Sequence, residues 1–338
     1  MSDNQSVNII ERYKLIVDTF LDNKSELGLY QAQQFSKMLL AEQVSPEEFI
    51  DIHRAVLDEL FPSIPNEVQD SFDLLLEVMM SYGLVYREHQ ILKHKQQELE
   101  SEIEVAASMQ QTLLPKSVPS IEGLDIGVVS VPAKRMSGDY YHFVQGADQT
   151  FGVGIADIIG KGVPAALCMS MIKYAMDGLP KRRSTPAFLL ESLNHVVEQN
   201  VDDSMFITMM YGEYNTQSHE FLYAGAGHEP GFIYRAKDNS FEDLYAKGLA
   251  LGISKVNKFK EYVQPIYVGD FIVLLSDGVT ESFVGQEFIE RDGFIELMRQ
   301  YMDYPAQEMV ERLFSHLEKE QDFNIRDDFT LIVIKRKV

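Results

Sequence analysis

The sequence has a single cysteine, Cys168, in 338 residues. An intramolecular disulfide is therefore excluded, and a reducing compartment is expected. Thiol-phosphatase chemistry is excluded too, because no arginine follows at the required spacing: Tyr174 stands six residues on. Positive charge is scarce, with 30 Lys and Arg against 52 Asp and Glu, a net charge of −22. Residues 1–84 alone carry 15 acidic and 5 basic side chains. Such a balance argues against nucleic acid or an anionic membrane as a partner. There is no basic-then-apolar amino terminus and no apolar run long enough to span a bilayer, so a soluble cytoplasmic protein is expected. Internal repeats and low-complexity segments are absent as well. What remains is ordinary globular composition, 45% hydrophobic and 24% charged, in a chain long enough for two or three domains.

Residues 1–84 read as helix throughout. Ile9, Ile10, Tyr13, Ile16, Val17 and Phe20 form one apolar stripe, and Leu29, Ala32, Phe35, Met38 and Leu39 a second. A third helix starts at Ser45 as N-cap, with Pro46 in the first turn and Glu48 placed for a capping box. A fourth pattern runs from Val68 through Leu75, Val78, Met79 and Tyr82. The one internal histidine, His53, has no cluster of ligands near it. The expectation is an all-α bundle over 1–84 that binds a partner or dimerises, with a purely structural role as the alternative.

Val78, Val85, Leu92, Leu99, Ala106 and Leu113 recur every seven residues, while the positions between include Lys95, Glu102 and Met109. A heptad with a half-polar seam pairs weakly. Residues 85–113 are therefore read as a helical coiled-coil linker suited to signalling, or else as a solvated helix docked on its own domain. Pro115 and Pro119 end the helical region.

Beyond Leu124 the pattern changes to short strands, expected at 125–131, 139–144, 151–157, 205–214, 221–226, 231–234, 262–268, 271–276 and 329–335. Helices are expected at 163–177, at 186–200 and twice between 293 and 319. That order implies an α+β domain over 120–338 with two packed antiparallel sheets and helices outside.

The stretch from Gly152 to Gly162 places Asp157 at the end of an apolar run, before a glycine turn and a helix with Pro164 in its first turn. A dinucleotide fingerprint fails there because its third glycine would fall on Asp157, and a phosphate loop fails because Ile155 and Gly162 occupy its required positions. Four aspartates share this setting at strand ends: Asp139, Asp157, Asp277, and Asp327 with Asp328. Converging carboxylates need divalent cations, and oxygen donors without a cysteine pair select Mg²⁺ or Mn²⁺ over zinc. His228, in Gly-His-Glu-Pro, reads as a turn residue satisfied by backbone groups rather than a catalytic acid. Asp277-Gly-Val-Thr is not an aspartyl nucleophile motif, since the acid two positions earlier would be Leu275.

Ser-Gly-Asp139, Ala-Asp157-x-x-Gly-Lys161-Gly, Ser-Asp277-Gly-Val-Thr-Glu and Asp327-Asp-Phe-Thr-Leu, in that order, resemble the bacterial branch of the PPM (PP2C-like) serine/threonine phosphatases. Tyr140-Tyr141-His142 and Ala226-Gly227-His228-Glu-Pro230 match the branch that regulates sigma factors. The resemblance implies an αββα sandwich and two Mn²⁺ or Mg²⁺ ions. One ion would lie on Asp139, Asp157 and the backbone carbonyl of Ile158, the other on Asp157, Asp277 and Asp327, with Asp328 as the alternate ligand. Lys134 stands nearest to the place where eukaryotic members hold phosphate with an arginine. The implied reaction is phosphoserine hydrolysis by a metal-activated water, with Asp139, Asp157 and Asp277 acting through it. Its substrate would be a phosphorylated anti-anti-sigma protein. A switch kinase bound to residues 1–84 would be the activator, and a homodimer through that domain and the linker is expected. A catalytically degenerate scaffold is the alternative, and a two-metal nuclease is disfavoured by the charge.

Overall fold

The computed structural model describes the chain apart from residues 1–2, 25, 43, 146–148, 161, 180–184, 203–204 and 286, and apart from the side chains of 3–7, 23 and 40. Lys161 of the glycine motif thus lies outside the described residues. The chain divides into two compact units, Met1–Leu99 and Glu100–Val338.

The amino-terminal unit contains α1 (Asp3–Asn23), α2 (Glu26–Ala41), α3 (Pro46–Leu60) and the first part of α4 (Asn66–Gln111). Ile9, Phe35, Leu39 and Val44 form its small core, with Tyr13, Ile16, Met38, Phe49 and Ile52 packed around it. The capping box of α3 is present: the Glu48 amide donates to Ser45 Oγ at 3.3 Å, and the Ser45 amide to Glu48 Oε2 at 3.0 Å. His53 is part of this packing, its Nδ1 2.9 Å from the Tyr13 hydroxyl and its ring edge-on to Phe72. The fourth apolar stripe stays outside that core. Val68, Leu75, Val78 and Tyr82 are 40–61% exposed, and α4 is tied to α3 instead by Arg54–Asp73 and Arg87–Glu47 ion pairs.

The second unit holds two five-stranded antiparallel sheets. One carries β1 (Leu124–Val131), β12 (Phe329–Arg336), β9 (Phe271–Leu275), β6 (Gly231–Arg235) and β7 (Ser240–Leu244), in that order. The other carries β2 (Asp139–Gln145), β3 (Thr150–Ile158), β4 (Ile207–Asn215), β5 (Glu220–Ala226) and β8 (Tyr262–Pro265). A short hairpin pairs β10 (Phe283–Val284) with β11 (Glu287–Phe288).

Period-two alternation sends side chains of each strand into different layers. Ile272 and Leu274 of β9, with Ile332 and Ile334 of β12, meet Phe151, Val153 and Ile155 of β3 between the sheets. Phe271, Val273 and Leu275 face the other way, against α8 (Glu290–Tyr301) and α9 (Ala306–Glu320). Ala156 and Ile158 face α5 (Val163–Gly178) and α6 (Pro186–Asn200). The result is a four-layer αββα sandwich, α+β in class. Among the described residues no helix is long and apolar enough to cross a membrane.

Candidate active site

Strand pairing brings the first two aspartates together, since Asp139 at the start of β2 is the direct cross-strand partner of Asp157 near the end of β3. The other sheet supplies the rest. β9 ends at Leu275, and the one-turn α7 (Asp277–Thr280) follows beside the Asp327–Asp328 turn that leads into β12. Gly278 makes that approach possible: a Cβ there would lie 2.1 Å from the Asp328 carbonyl oxygen. Ser276 locks the two segments, its Oγ donating to the Asp328 carbonyl at 3.2 Å and accepting from the Thr330 amide at 3.0 Å.

Asp139 is 1% exposed. Burial pushes its carboxyl well above the usual carboxylate range, the polar side chains of Ser276 and Thr330 nearby oppose that, and the Asp157 and Asp328 charges add to it. Its Oδ2 is buried without a hydrogen-bond partner among the described residues. Asp277 is raised by burial and by the charges of Asp327 and Asp328. Glu281 and Glu229 are raised by burial as well, each with a contribution from Asp277. The four motifs thus meet at one electrostatically coupled place.

The two adjacent acids have different environments. Both oxygens of Asp328 are taken by backbone donors: the Ala133 amide reaches Oδ1 at 2.7 Å and the Gly138 amide reaches Oδ2 at 2.6 Å. Asp327 is half-buried, and its Oδ1 accepts from the Asp328 amide at 3.0 Å. Lys134 stands exposed on the loop between β1 and β2.

His228 is 8% exposed and joins the sheets. Its Nε2 lies 3.2 Å from the Leu275 carbonyl, to which it must donate, so Nδ1 accepts from the Thr208 hydroxyl at 2.9 Å. Thr208 is the β4 partner of Asp157. Burial lowers the His228 pKa to about 4, so the ring is neutral near pH 7. Sequence reasoning placed it in a satisfied turn; the partners are one backbone carbonyl and one hydroxyl.

The donor set suits a hard divalent cation. A Cβ on Gly138 would lie 3.0 Å from the Ile158 carbonyl oxygen and 3.1 Å from Asp157 Oδ1, so glycine keeps open a cradle of oxygen atoms at the residue just before Asp139. Among the described residues no three His, Cys, Asp or Glu side chains already close on one point. A set made of carboxylates, a backbone carbonyl and water does not require that, because Mg²⁺ and Mn²⁺ sites retain several waters.

Sequence reasoning missed Gln110, whose amide bonds the backbone of Ser137. It also missed the parts played by Ser276 and Thr330. Glu229 and Glu281 were inside the motifs, but nothing in their spacing marked them.

Comparison with known proteins decides the family. Phosphoserine phosphatase RsbU of Bacillus subtilis (strain 168) is 55% identical over 330 residues, covering 98% of each chain. The chain belongs to the RsbU family of PP2C-like (PPM) phosphatases. The family described as Stage II sporulation protein E (SpoIIE) matches residues 147–337, and the RsbU N-terminal domain matches 11–85. Among solved structures, the SiaA-PP2C domain of Pseudomonas aeruginosa aligns with a TM-score of 0.63 at 19% identity, over 71% of this chain and 98% of that one. The RsbU and RsbW domains of a Mycobacterium tuberculosis protein align with a TM-score of 0.56 at 26% identity, over 67% of this chain and 63% of that one. The αββα sandwich is therefore the fold of PP2C-type enzymes, and the RsbU-type amino-terminal domain precedes it.

Proposed function

We propose that the chain is a metal-dependent phosphoserine protein phosphatase whose substrate is a phosphorylated, RsbV-like anti-anti-sigma protein. In this reading it acts in the cytoplasm, in the sigma-B general stress response. The observation that carries the reading is the pairing of Asp139 with Asp157 across β2 and β3 beside the glycine-kept cradle, with Asp277 and Asp327 coupled to each other at the end of the other sheet and one Asp139 oxygen without a partner among the described residues. Asp139, Asp157 and the Ile158 carbonyl would hold one Mn²⁺ or Mg²⁺ ion; Asp157, Asp277 and Asp327 would hold the second. When bound, such a pair supplies a water acidic enough to attack phosphorus and neutralises charge on the phosphoryl group.

The chain's own residues do the positioning. Asp328 is assigned here to the loop that carries Asp139, because both its oxygens already accept backbone amides. That assignment leaves Asp327 as the ligand of the pair. His228, held neutral by burial, ties the Thr208 hydroxyl beside Asp157 to the carbonyl two residues before Asp277. Lys134, exposed on the loop before Asp139, would be the cation that approaches the phosphate.

Residues 1–84 are proposed as the docking domain for an RsbT-like switch kinase, and the heptad stretch 85–113 as a linker that pairs with its copy in a second chain. Support comes from exposure: Val78, Val85, Leu92 and Leu99 on α4 are 55–64% exposed. A degenerate scaffold is the competing reading, and the retention of an acid at every expected ligand position favours the enzyme. Phosphate release from a phosphorylated anti-anti-sigma protein, with Mn²⁺ and then with excess EDTA, separates the two. Turnover that needs the metal is expected; no release under either condition would favour the scaffold.

A further inference from the structure

The loop that delivers Asp139 is held from two sides. On one side Asp328 accepts the amides of Ala133 and Gly138. On the other, Gln110 in the last turn of α4 makes a paired contact with Ser137. Its Nε2 donates to the Ser137 carbonyl at 2.7 Å, and its Oε1 accepts the Ser137 amide at 3.0 Å. A primary amide in this pose copies the donor and acceptor of a neighbouring strand. The Ser137 hydroxyl passes the contact on, accepting the Asp139 amide at 3.0 Å. A second attachment lies on the same segment of α4, where Arg135 donates to the Glu100 carbonyl at 3.1 Å and faces the Glu104 carboxylate at 3.7 Å.

Three features separate Gln110 from a surface glutamine. It is 5% exposed on a helix whose other polar residues face solvent. Its two bonds are made to backbone that has no strand partner there, since β2 begins only at Asp139. Both bonds are buried, so removing the side chain leaves a donor and an acceptor of Ser137 without partners. Arg135 cannot substitute, because its pairing is exposed and correspondingly weak.

We infer that Gln110 is a positioning residue for the metal site: through Ser137 it fixes the Ser137-Gly138-Asp139 backbone, and with it the carboxylate that holds an ion. The inference rests on the reading of Asp139 as a metal ligand. The end of α4 thereby has a direct path to the site. A small rotation or withdrawal of the last helical turn is felt two residues from the ligand.

The test uses the full chain, stripped of metal, as wild type and as Gln110→Leu, Gln110→Glu and Gln111→Leu. Gln110→Leu removes both bonds at nearly constant shape; Gln110→Glu keeps the acceptor for the Ser137 amide and loses the donor. Gln111 is exposed and serves as the control. Two quantities are measured: Mn²⁺ binding by isothermal titration, and amide hydrogen exchange of residues 133–139 in the metal-free protein. For Gln110→Leu, Mn²⁺ affinity is expected to fall by about tenfold or more, as for other groups that orient metal ligands. Exchange in 133–139 should quicken by about tenfold. Gln110→Glu is expected between Leu and wild type, and Gln111→Leu at wild type. Turnover of Gln110→Leu should recover at saturating Mn²⁺ while the concentration for half-maximal activity rises. A merely structural role would lower the melting temperature and leave Mn²⁺ affinity and loop exchange where they were; that result overturns the inference. Absence of Mn²⁺ binding by the wild type would instead sink the ligand reading itself, and the inference with it.

Discussion

Asp139 and Asp328 are both buried acids, yet their environments differ. Asp328 is satisfied by two backbone amides, whereas Asp139 keeps one oxygen without a partner among the described residues and is crowded by Asp157. A group left in that state is unfavourable in the metal-free protein. Asp139→Asn is therefore expected to raise metal-free stability by about 1 kcal/mol while abolishing tight Mn²⁺ binding. Thermal unfolding in EDTA checks the first part and titration the second. His228 gives a pH signature with a definite sign. Its folded pKa of about 4 lies below the ordinary value of ~6.5, so the unfolded chain binds the proton more readily between those limits. Its neutral form stabilises the fold fully above about pH 6.5, and that contribution, on the order of 3 kcal/mol, is lost as pH falls toward 4. His228→Leu leaves the Leu275 carbonyl unpaired and should be less stable than wild type at pH 7.5, with the difference shrinking toward pH 4.5. Denaturant unfolding at the two pH values measures it; a constant gap would contradict the assignment.

At the level of elements, legibility followed how much of a segment's pattern came from burial. β9 and β12 are buried on both faces and read as continuous apolar runs, and the glycine-rich β3 was recognisable from its alternation. β7, Ser-Phe-Glu-Asp-Leu at a sheet edge, carries too much exposed charge to signal a strand, and the two-residue β10 and β11 have no period to detect. The sequence pattern divides the fourth helix from the linker at about residue 84, but α4 is continuous from Asn66 to Gln111, with Gly83 tolerated inside it. The aspartates proposed as ligands are legible because each sits in a motif where a strand must stop. Gln110 is not, because one buried amide on a polar helix leaves no periodic trace. Gly278 shows how tightly α7 must sit against the entry to β12. Gly278→Ala places a methyl group 2.1 Å from the Asp328 oxygen and is expected to separate Asp277 from Asp327, costing Mn²⁺ affinity by about a hundredfold. An intact circular dichroism spectrum with lost metal binding would fit; unaltered binding would not.

For the whole molecule, the proposed regulation requires linker pairing that is marginal alone. Lys95 and Glu102 put charge where a stable seam would be apolar, and the heptad positions around them stand exposed. Lys95→Leu with Glu102→Leu is expected to raise dimer formation, Mn²⁺ affinity and activator-independent phosphatase activity together. Sedimentation beside phosphate release would expose the contrary case, a tighter dimer with basal activity. All of this depends on the acidic centre being a metal site at which Asp157 serves both ions. The decisive measurement is phosphate release from a phosphoserine protein by wild type and Asp157→Ala at saturating Mn²⁺, with melting temperatures recorded alongside. The account predicts Mn²⁺-dependent turnover by the wild type and background release by a folded Asp157→Ala; wild-type turnover by the variant would contradict it.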